Sequence, residues 1–138
     1  MVTLQDLKEL RYLQGEITAL AEREREIVHR MTYAASVPAA ARVKGDDGRT
    51  GEERYRDALE QVQESLCQRR LALAEKEAAV TAYIGSVPDS LLRQILTLRF
   101  VDGHSWTAVA HRIGGGNTEE SVKKAFYRFW AQEIRTRQ

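Results

Sequence analysis

The sequence is poor in the residues that cross-link or interrupt a fold. It holds one cysteine in 138 residues, so neither an intrachain disulfide nor a multi-thiolate zinc site can form within one chain. We therefore expect a reducing, cytoplasmic location. Only two prolines and 7% aromatic residues are present, and no segment alternates β-branched and polar residues, which argues against a sandwich, a barrel or a doubly wound sheet. No segment has the roughly 18 apolar residues of a membrane span, and the N-terminus does not resemble a signal peptide.

What the sequence does contain is characteristic of long helices. Ala, Glu, Lys, Leu and Arg together account for 65 of the 138 residues, close to the half that accompanies coiled coils. The composition thus predicts an all-α protein.

Two long segments repeat apolar residues at alternating spacings of three and four, as in a coiled coil. The first starts at a capping box formed by Thr3 and Asp6 and runs to about Met31. The second starts at a similar box, Thr50 with Glu53, and runs to about Val87. A mobile connector at about residues 33–50, rich in alanine and glycine, separates them. We expect residues 1–86 to form an antiparallel coiled-coil hairpin that self-associates, because Glu24, Arg69 and Lys76 interrupt its apolar seam; a dimer is favoured.

The formal charge of +1 conceals a division of the chain. Residues 1–86 contain 13 basic and 15 acidic residues, whereas residues 87–138 contain 8 and 5. A glycine at 85 and a proline at 88 indicate that one helix ends and a new unit begins there. The basic segment, residues 87–138, is the candidate for an acidic partner.

Residues 103–130 have the pattern of a helix-turn-helix. Gly103 permits a left-handed turn, Ser105 can cap a helix over residues 106–113, and three glycines follow. Asn117 is expected to cap the next helix, with Glu120 completing a capping box. Two short helices joined by a glycine turn predict binding of double-stranded DNA through the second helix. We therefore expect residues 87–138 to form a helix-turn-helix DNA-binding domain.

A helical wheel places an apolar stripe on one face of this second helix and polar residues on the other. The stripe is Val122, Phe126, Phe129 and Trp130. The candidate base-facing residues are Glu120, Ser121, Lys124, Tyr127 and Arg128, because Lys and Arg can donate to guanine and Glu can accept from cytosine in the major groove. The candidate phosphate contacts are His104, Ser105, Arg112, Asn117, Thr118 and Lys123.

The run from Leu98 to Gly114, with Ser121-Val122-Lys123-Lys124 and Tyr127-Arg128-Phe129, resembles region 4 of bacterial sigma factors. The phrases Phe100-Val101-Asp102-Gly103-His104-Ser105-Trp106 and Ile113-Gly114-Gly115-Gly116-Asn117-Thr118 are similar to those of phage and prophage late-gene regulators of the ArpU type. This resemblance implies a transcription regulator, in a bacterium or a phage-infected cell, that contacts RNA polymerase as region 4 does. The turn between Gly114 and Val122 is one residue longer than in a typical region 4.

Other chemistries find little support in the sequence. The three glycines lack the Gly-Lys-Ser/Thr of a phosphate-binding loop, and the three histidines and Cys67 are too widely spaced for a metal site. No catalytic constellation stands out. We therefore expect no enzymatic activity, no cofactor, no metal, no small-molecule substrate and no membrane partner.

Two functional alternatives remain at this point. The small subunit of a phage terminase can also join a helix-turn-helix to an oligomerising coil, for DNA packaging. An adaptor that binds RNA polymerase without binding DNA would carry the same fold.

Overall fold

A computed structural model describes all 138 residues, and the chain is helical apart from turns and one isolated β-bridge between Lys44 and Thr50. The predicted all-α class is confirmed. None of the helices is long and apolar enough to cross a lipid bilayer. The helices are α1 (Leu4–Ser36), a 3-10 helix (Ala39–Ala41), α2 (Gly51–Gly85), α3 (Ser90–Leu96), a π-helical turn (Thr97–Val101), α4 (Trp106–Ile113) and α5 (Glu119–Arg137).

Both long helices begin at the predicted capping boxes. The backbone N–H of Thr3 donates to Asp6 Oδ2 at 2.8 Å, and the N–H of Asp6 donates to Thr3 Oγ1 at 3.1 Å. Thr50 and Glu53 make the same exchange at 3.2 and 3.3 Å. Each box satisfies N–H groups that have no partner inside the helix, which fixes where the helix starts.

The chain divides into two compact units, which we call the terminal unit, residues 1–14 and 73–138, and the central unit, residues 15–72. The boundary expected at residue 86 falls inside the terminal unit. The two long helices each contribute one part to each unit, because the apolar residues of their end segments pack with the shorter helices.

The core of the terminal unit joins segments that are distant in sequence. Leu7 and Leu10 of α1 are fully buried, in one cluster with Val80 and Ile84 of α2. The same cluster contains the buried apolar residues of α3, the π-helical turn, α4 and α5: Leu92, Ile95, Leu96, Phe100, Trp106, Val109, Ala110, Val122, Phe126 and Trp130. The first fourteen residues are therefore part of the same core as α3, α4 and α5.

Polar contacts also hold the N-terminal segment in the terminal unit. Lys76, expected as a polar interruption of the seam, lies between Asp6 and Glu9 at 3.0 and 3.1 Å. The side-chain amide of Gln14 donates to the carbonyl of Val101 at 2.6 Å, at the end of the π-helical turn. Arg137 donates to the carbonyl of Val2 at 2.6 Å, which ties the end of α5 to the start of the chain.

The central unit has a much smaller core. Ile27, Val62 and Leu66 are its buried residues, and they pack with partly buried side chains at Ile17, Leu20, Ala21, Tyr55, Ala58 and Leu59. Of the predicted apolar repeats, Ile17, Leu20, Ile27, Tyr55, Leu59, Val62 and Leu66 lie on this packed face. Arg69, the second polar interruption, forms an ion pair with Glu16 at 3.0 Å.

The connector between α1 and α2 is shorter than predicted and makes specific contacts. Helix α1 continues through Ser36, because the alanines at 34 and 35 favour helix. Arg42 then donates to the carbonyls of Ala35 and Val37, both at 2.9 Å, and pairs with Glu52 at 3.1 Å. Arg42 therefore links the connector to the end of α1 and to the start of α2.

Candidate nucleic-acid interface

Helix α4 has the bounds and the cap that the sequence predicts. The hydroxyl of Ser105 accepts from the N–H of Ala108 at 3.2 Å, and Gly103, two residues earlier, has φ +76°. Trp106, Val109 and Ala110 face the core. The cap leaves the Ser105 hydroxyl occupied, so the predicted phosphate contact at this residue competes with a helix cap.

The turn between α4 and α5 depends on its three glycines. Gly114, Gly115 and Gly116 have φ values of 67°, 63° and 81°, in the region that other L-residues rarely adopt. The side-chain amide of Asn117 donates to the carbonyl of Gly114 at 2.8 Å. The turn therefore reverses the chain over four residues and places α5 against α4.

The expected cap of α5 is wrong by one residue. Thr118, and not Asn117, is the N-cap: its hydroxyl accepts from the N–H of Ser121 at 3.1 Å. Ser121, and not Glu120, completes the capping box by accepting from the N–H of Thr118 at 2.8 Å. The shift arises because the Asn117 side chain is already bonded to the glycine turn, which leaves the next hydroxyl residue to meet the free N–H groups.

The two faces of α5 are divided as the helical wheel predicts. Val122, Phe126 and Trp130 are buried and Phe129 is partly buried. All five candidate base-facing residues, Glu120, Ser121, Lys124, Tyr127 and Arg128, are exposed. The core thus orients α5 so that one continuous polar face is free to meet a partner.

The start of α5 carries carboxylates as well as cations. Glu119 accepts from the hydroxyl of Thr107 on α4 at 3.0 Å and lies 3.7 Å from Lys123. Glu120 lies 4.0 Å from Lys124, and both side chains are largely exposed. Exposed pairs of this kind contribute little stability, so Lys124 can exchange its partner for another acceptor at small cost. Arg128 lies one turn further along the same face and, unlike Lys124, has no carboxylate partner.

The predicted phosphate contacts divide into two groups by the state of their polar atoms. His104 is partly exposed before α4, Arg112 is exposed in its last turn, and Lys123 is partly exposed on the flank of α5. Ser105, Asn117 and Thr118 use their side-chain oxygen or nitrogen in the caps and the turn. The first group is therefore better placed to meet phosphate than the second.

No protein-family model, curated protein or solved structure matches this chain. What this surface can bind follows from its own geometry and charge.

Tyr127 joins the exposed face of α5 to the aromatic core. Its ring is about half exposed, and it lies 6.4 Å from the ring of Trp106 and 5.0 Å from that of Phe126. These contacts restrict the ring. A restrained aromatic ring is suited to contact a partner without a large loss of side-chain entropy.

Sequence reasoning missed three cations beside Tyr127. Lys8 and Arg11 of α1 and Arg99 of the π-helical turn line one cavity with Tyr127 and Trp106. The only signal in the sequence was that Lys8 and Arg11, three residues apart, share a side of α1. Lys8 and Arg11 lie more than 110 residues before Tyr127 in the sequence, so local patterns do not report their proximity to α5.

Proposed function

We propose that this protein is a sequence-specific, double-stranded DNA-binding regulator of transcription. The observation that carries the proposal is the exposed face of α5, with Lys124 and Arg128 lying opposite a buried apolar stripe on a helix that follows a glycine turn. A helix held by its buried side presents the other side to the major groove, which is wide enough to admit it.

Each residue of this face has a chemical role in the proposal. Lys124 and Arg128 donate to O6 and N7 of guanine, and Glu120 accepts from N4 of cytosine. Tyr127 supplies a hydroxyl and a ring edge at the side of the groove. Ser121 contributes less than the others, because its hydroxyl is part of the capping box.

The contacts to phosphate in this proposal come from groups that flank the face. Arg112 and His104 have side chains available to the DNA backbone, Lys123 is held only by an exposed pair with Glu119 at 3.7 Å, and the N-terminus of α5 adds a partial positive charge. Such contacts fix the register of the protein on DNA without reading its sequence.

The resemblance to region 4 of sigma factors and to ArpU-type regulators supports a role in the transcription of phage or prophage genes, with a contact to bacterial RNA polymerase. The residues that carry it include the Ser105 cap, the glycine turn and the Lys123-Lys124 pair. The turn before α5 is one residue longer than in a typical region 4. The proposed base contacts are therefore taken from the exposed face of α5 and not from the positions used in region 4.

We further propose that the central unit pairs two copies of the chain. Its buried core consists of three residues, while Val28, Tyr33 and Leu71 are 40, 74 and 62% exposed. Burial of these side chains in a dimer would add apolar area to a thin core and place two α5 helices on half-sites spaced by whole turns of DNA. Light scattering after size exclusion should give twice the chain mass of 15.7 kDa at micromolar concentration; a monomer would exclude the dimer, and a ring of many subunits would favour a terminase.

Selection of bound duplexes from a random library tests the proposed function. We expect the full chain to enrich one recurring sequence, and we expect the same sequence in the host or phage DNA that it occupies. Enrichment of no sequence, with binding to RNA polymerase retained, would favour the adaptor that does not bind DNA.

A further inference from the structure

The terminal unit contains a small cavity whose walls are cationic and aromatic. Its volume is about 140 Å³, and its charged lining residues are Lys8, Arg11 and Arg99. No carboxylate lines it. The cavity equals four to five water volumes, at about 30 Å³ for each water in the liquid, and is smaller than the roughly 300 Å³ at which pockets for drug-sized ligands begin. Its size and charge suit a small oxyanion.

The carboxylates nearest to Lys8 in sequence are paired with another residue, Lys76. Asp6 and Glu9 of α1 both bind Lys76, at 3.0 and 3.1 Å. The cations on the same segment, Lys8 and Arg11, form no ion pair. The positive charge of this part of α1 is therefore not neutralised from within its own helix.

The two guanidinium groups have unused donors. The Nε atoms of Arg11 and Arg99 are buried and make no hydrogen bond. Arg99 is held in place by a hydrogen bond from Nη1 to the carbonyl of His104 at 3.1 Å, and its Cζ lies 4.6 Å from the centre of the Trp106 ring. Buried donors without acceptors are costly, and no acceptor of the protein compensates for the burial of these two.

The electrostatics of Arg99 agree with this geometry. Its burial, together with the nearby positive charge of Arg11, lowers the pKa of Arg99. Two like charges facing one cavity without a carboxylate are stabilised by an anion between them.

We propose that Lys8, Arg11 and Arg99 form a binding site for a phosphate group. Planar guanidinium groups bind phosphate through paired donors, and the ammonium adds a point charge. Tyr127 lines the same cavity and also belongs to the exposed face of α5, so the site is continuous with the proposed DNA surface. A backbone phosphate of bound DNA is one source of the ligand, which rests on the proposed function; free phosphate is the other.

The DNA source is tested by the salt dependence of binding. In the full-length variant Lys8→Gln/Arg11→Gln, the logarithm of the DNA association constant should fall less steeply with the logarithm of the salt concentration. The magnitude of the slope should decrease by about 0.9 for each DNA phosphate that the protein no longer neutralises. It should retain the preference for the selected sequence. Arg25→Ala/Arg70→Ala is the matched control, since it removes two exposed cations of the central unit that form no ion pair, and it should leave the slope unchanged.

The free-phosphate source is tested without DNA. Inorganic phosphate should raise the thermal unfolding midpoint of the wild-type chain above that in chloride at equal ionic strength, because a ligand that binds the folded state stabilises it. The rise should be lost in Lys8→Gln/Arg11→Gln and kept in the control. If the double variant unfolds in chloride, Lys8→Gln alone replaces it, since Lys8 is exposed.

The two measurements separate this site from the proposed function. A reduced DNA slope, or a phosphate-dependent rise that the variant loses, supports the site, and the second result supports it even if the chain binds no DNA. An unchanged slope together with no phosphate-dependent rise overturns it.

Discussion

Thr118 and Ser121 each accept a hydrogen bond from the backbone N–H of the other, at 3.1 and 2.8 Å. This exchange fixes the residue at which α5 begins, while burial of Val122, Phe126 and Trp130 orients its faces.

The capping assignment predicts different results for neighbouring substitutions. Thr118→Ala should lower the free energy of unfolding by about 1 kcal/mol, the usual effect of losing an N-cap side chain. Glu120→Ala should change it by less than about 0.5 kcal/mol, as expected for an exposed surface position. Urea titration followed by circular dichroism measures both. A larger loss for Glu120→Ala than for Thr118→Ala would mean that Glu120 is the capping partner.

The glycine turn predicts a conformational penalty at Gly114. Gly114→Ala should destabilise the chain by about 1 to 3 kcal/mol, because its backbone, with φ 67° and ψ −149°, lies in a region almost restricted to glycine. No atom lies within 4 Å of an added Cβ there, so the penalty comes from the backbone alone. Gly15→Ala, inside α1 and equally unobstructed, should stabilise by about 0.5 to 1 kcal/mol. Equal effects of the two substitutions in thermal unfolding would contradict this account of the turn.

The shared core of the terminal unit predicts that α1 supports the packing of α4 and α5. Leu7→Ala should destabilise by about 2 to 5 kcal/mol, since Leu7 is fully buried. The change should appear in tryptophan fluorescence, because both tryptophans, Trp106 and Trp130, lie in this unit. Val43→Ala, at a position 84% exposed, is the control and should fall within about 0.5 kcal/mol of wild type. A Leu7→Ala chain as stable as the control would show that α1 is dispensable for the unit.

The start of α1 predicts a pH dependence of stability. The N–H of Thr3, followed by Lys76, lowers the pKa of Asp6 from 3.8 to about 2. Because the folded pKa is below the ordinary value, the contribution is complete above about pH 4 and is lost as pH falls towards 2. Asp6→Asn should therefore destabilise the chain at pH 7 and lessen the loss of stability between pH 5 and 2. Urea midpoints across that range measure it; the exposed Asp46→Asn should follow the wild-type curve, and an Asp6→Asn curve parallel to wild type would refute the role of Asp6.

Local signals in the sequence predicted the bounds and faces of α4 and α5 well. They did not predict which segments of the chain pack together. The Ser105 cap, the glycines at 114–116 and the stripe at Val122 and Phe126 are short-range features, and α4 and the faces of α5 followed from them. The cap of α5 was missed because Asn117 and Thr118 are both competent caps, and only the bond from Asn117 to the Gly114 carbonyl separates them.

The two compact units depend on contacts that local patterns do not report. Heptad spacing reports that Leu10 faces a partner, but it does not report which segment the partner belongs to. In the structure Leu7 and Leu10 share a core with Val80 and Phe126. For the same reason the cavity lined by Arg11 and Arg99 was not predicted. The two residues are 88 positions apart, and the spacing of apolar residues does not indicate contacts between such distant segments.

In the proposed function, the exposed face of α5 reads the DNA sequence. The most direct test of this role is a gel-shift series with the selected duplex and a scrambled duplex at fixed salt, comparing wild type, Lys124→Ala/Arg128→Ala and the control Arg25→Ala/Arg70→Ala. Each base contact is worth about 1 to 3 kcal/mol, so the α5 variant should lose at least about tenfold in affinity for the selected duplex and most of its preference over the scrambled one. The control should retain both. Full affinity and full preference in the α5 variant, with the fold intact, would contradict the account.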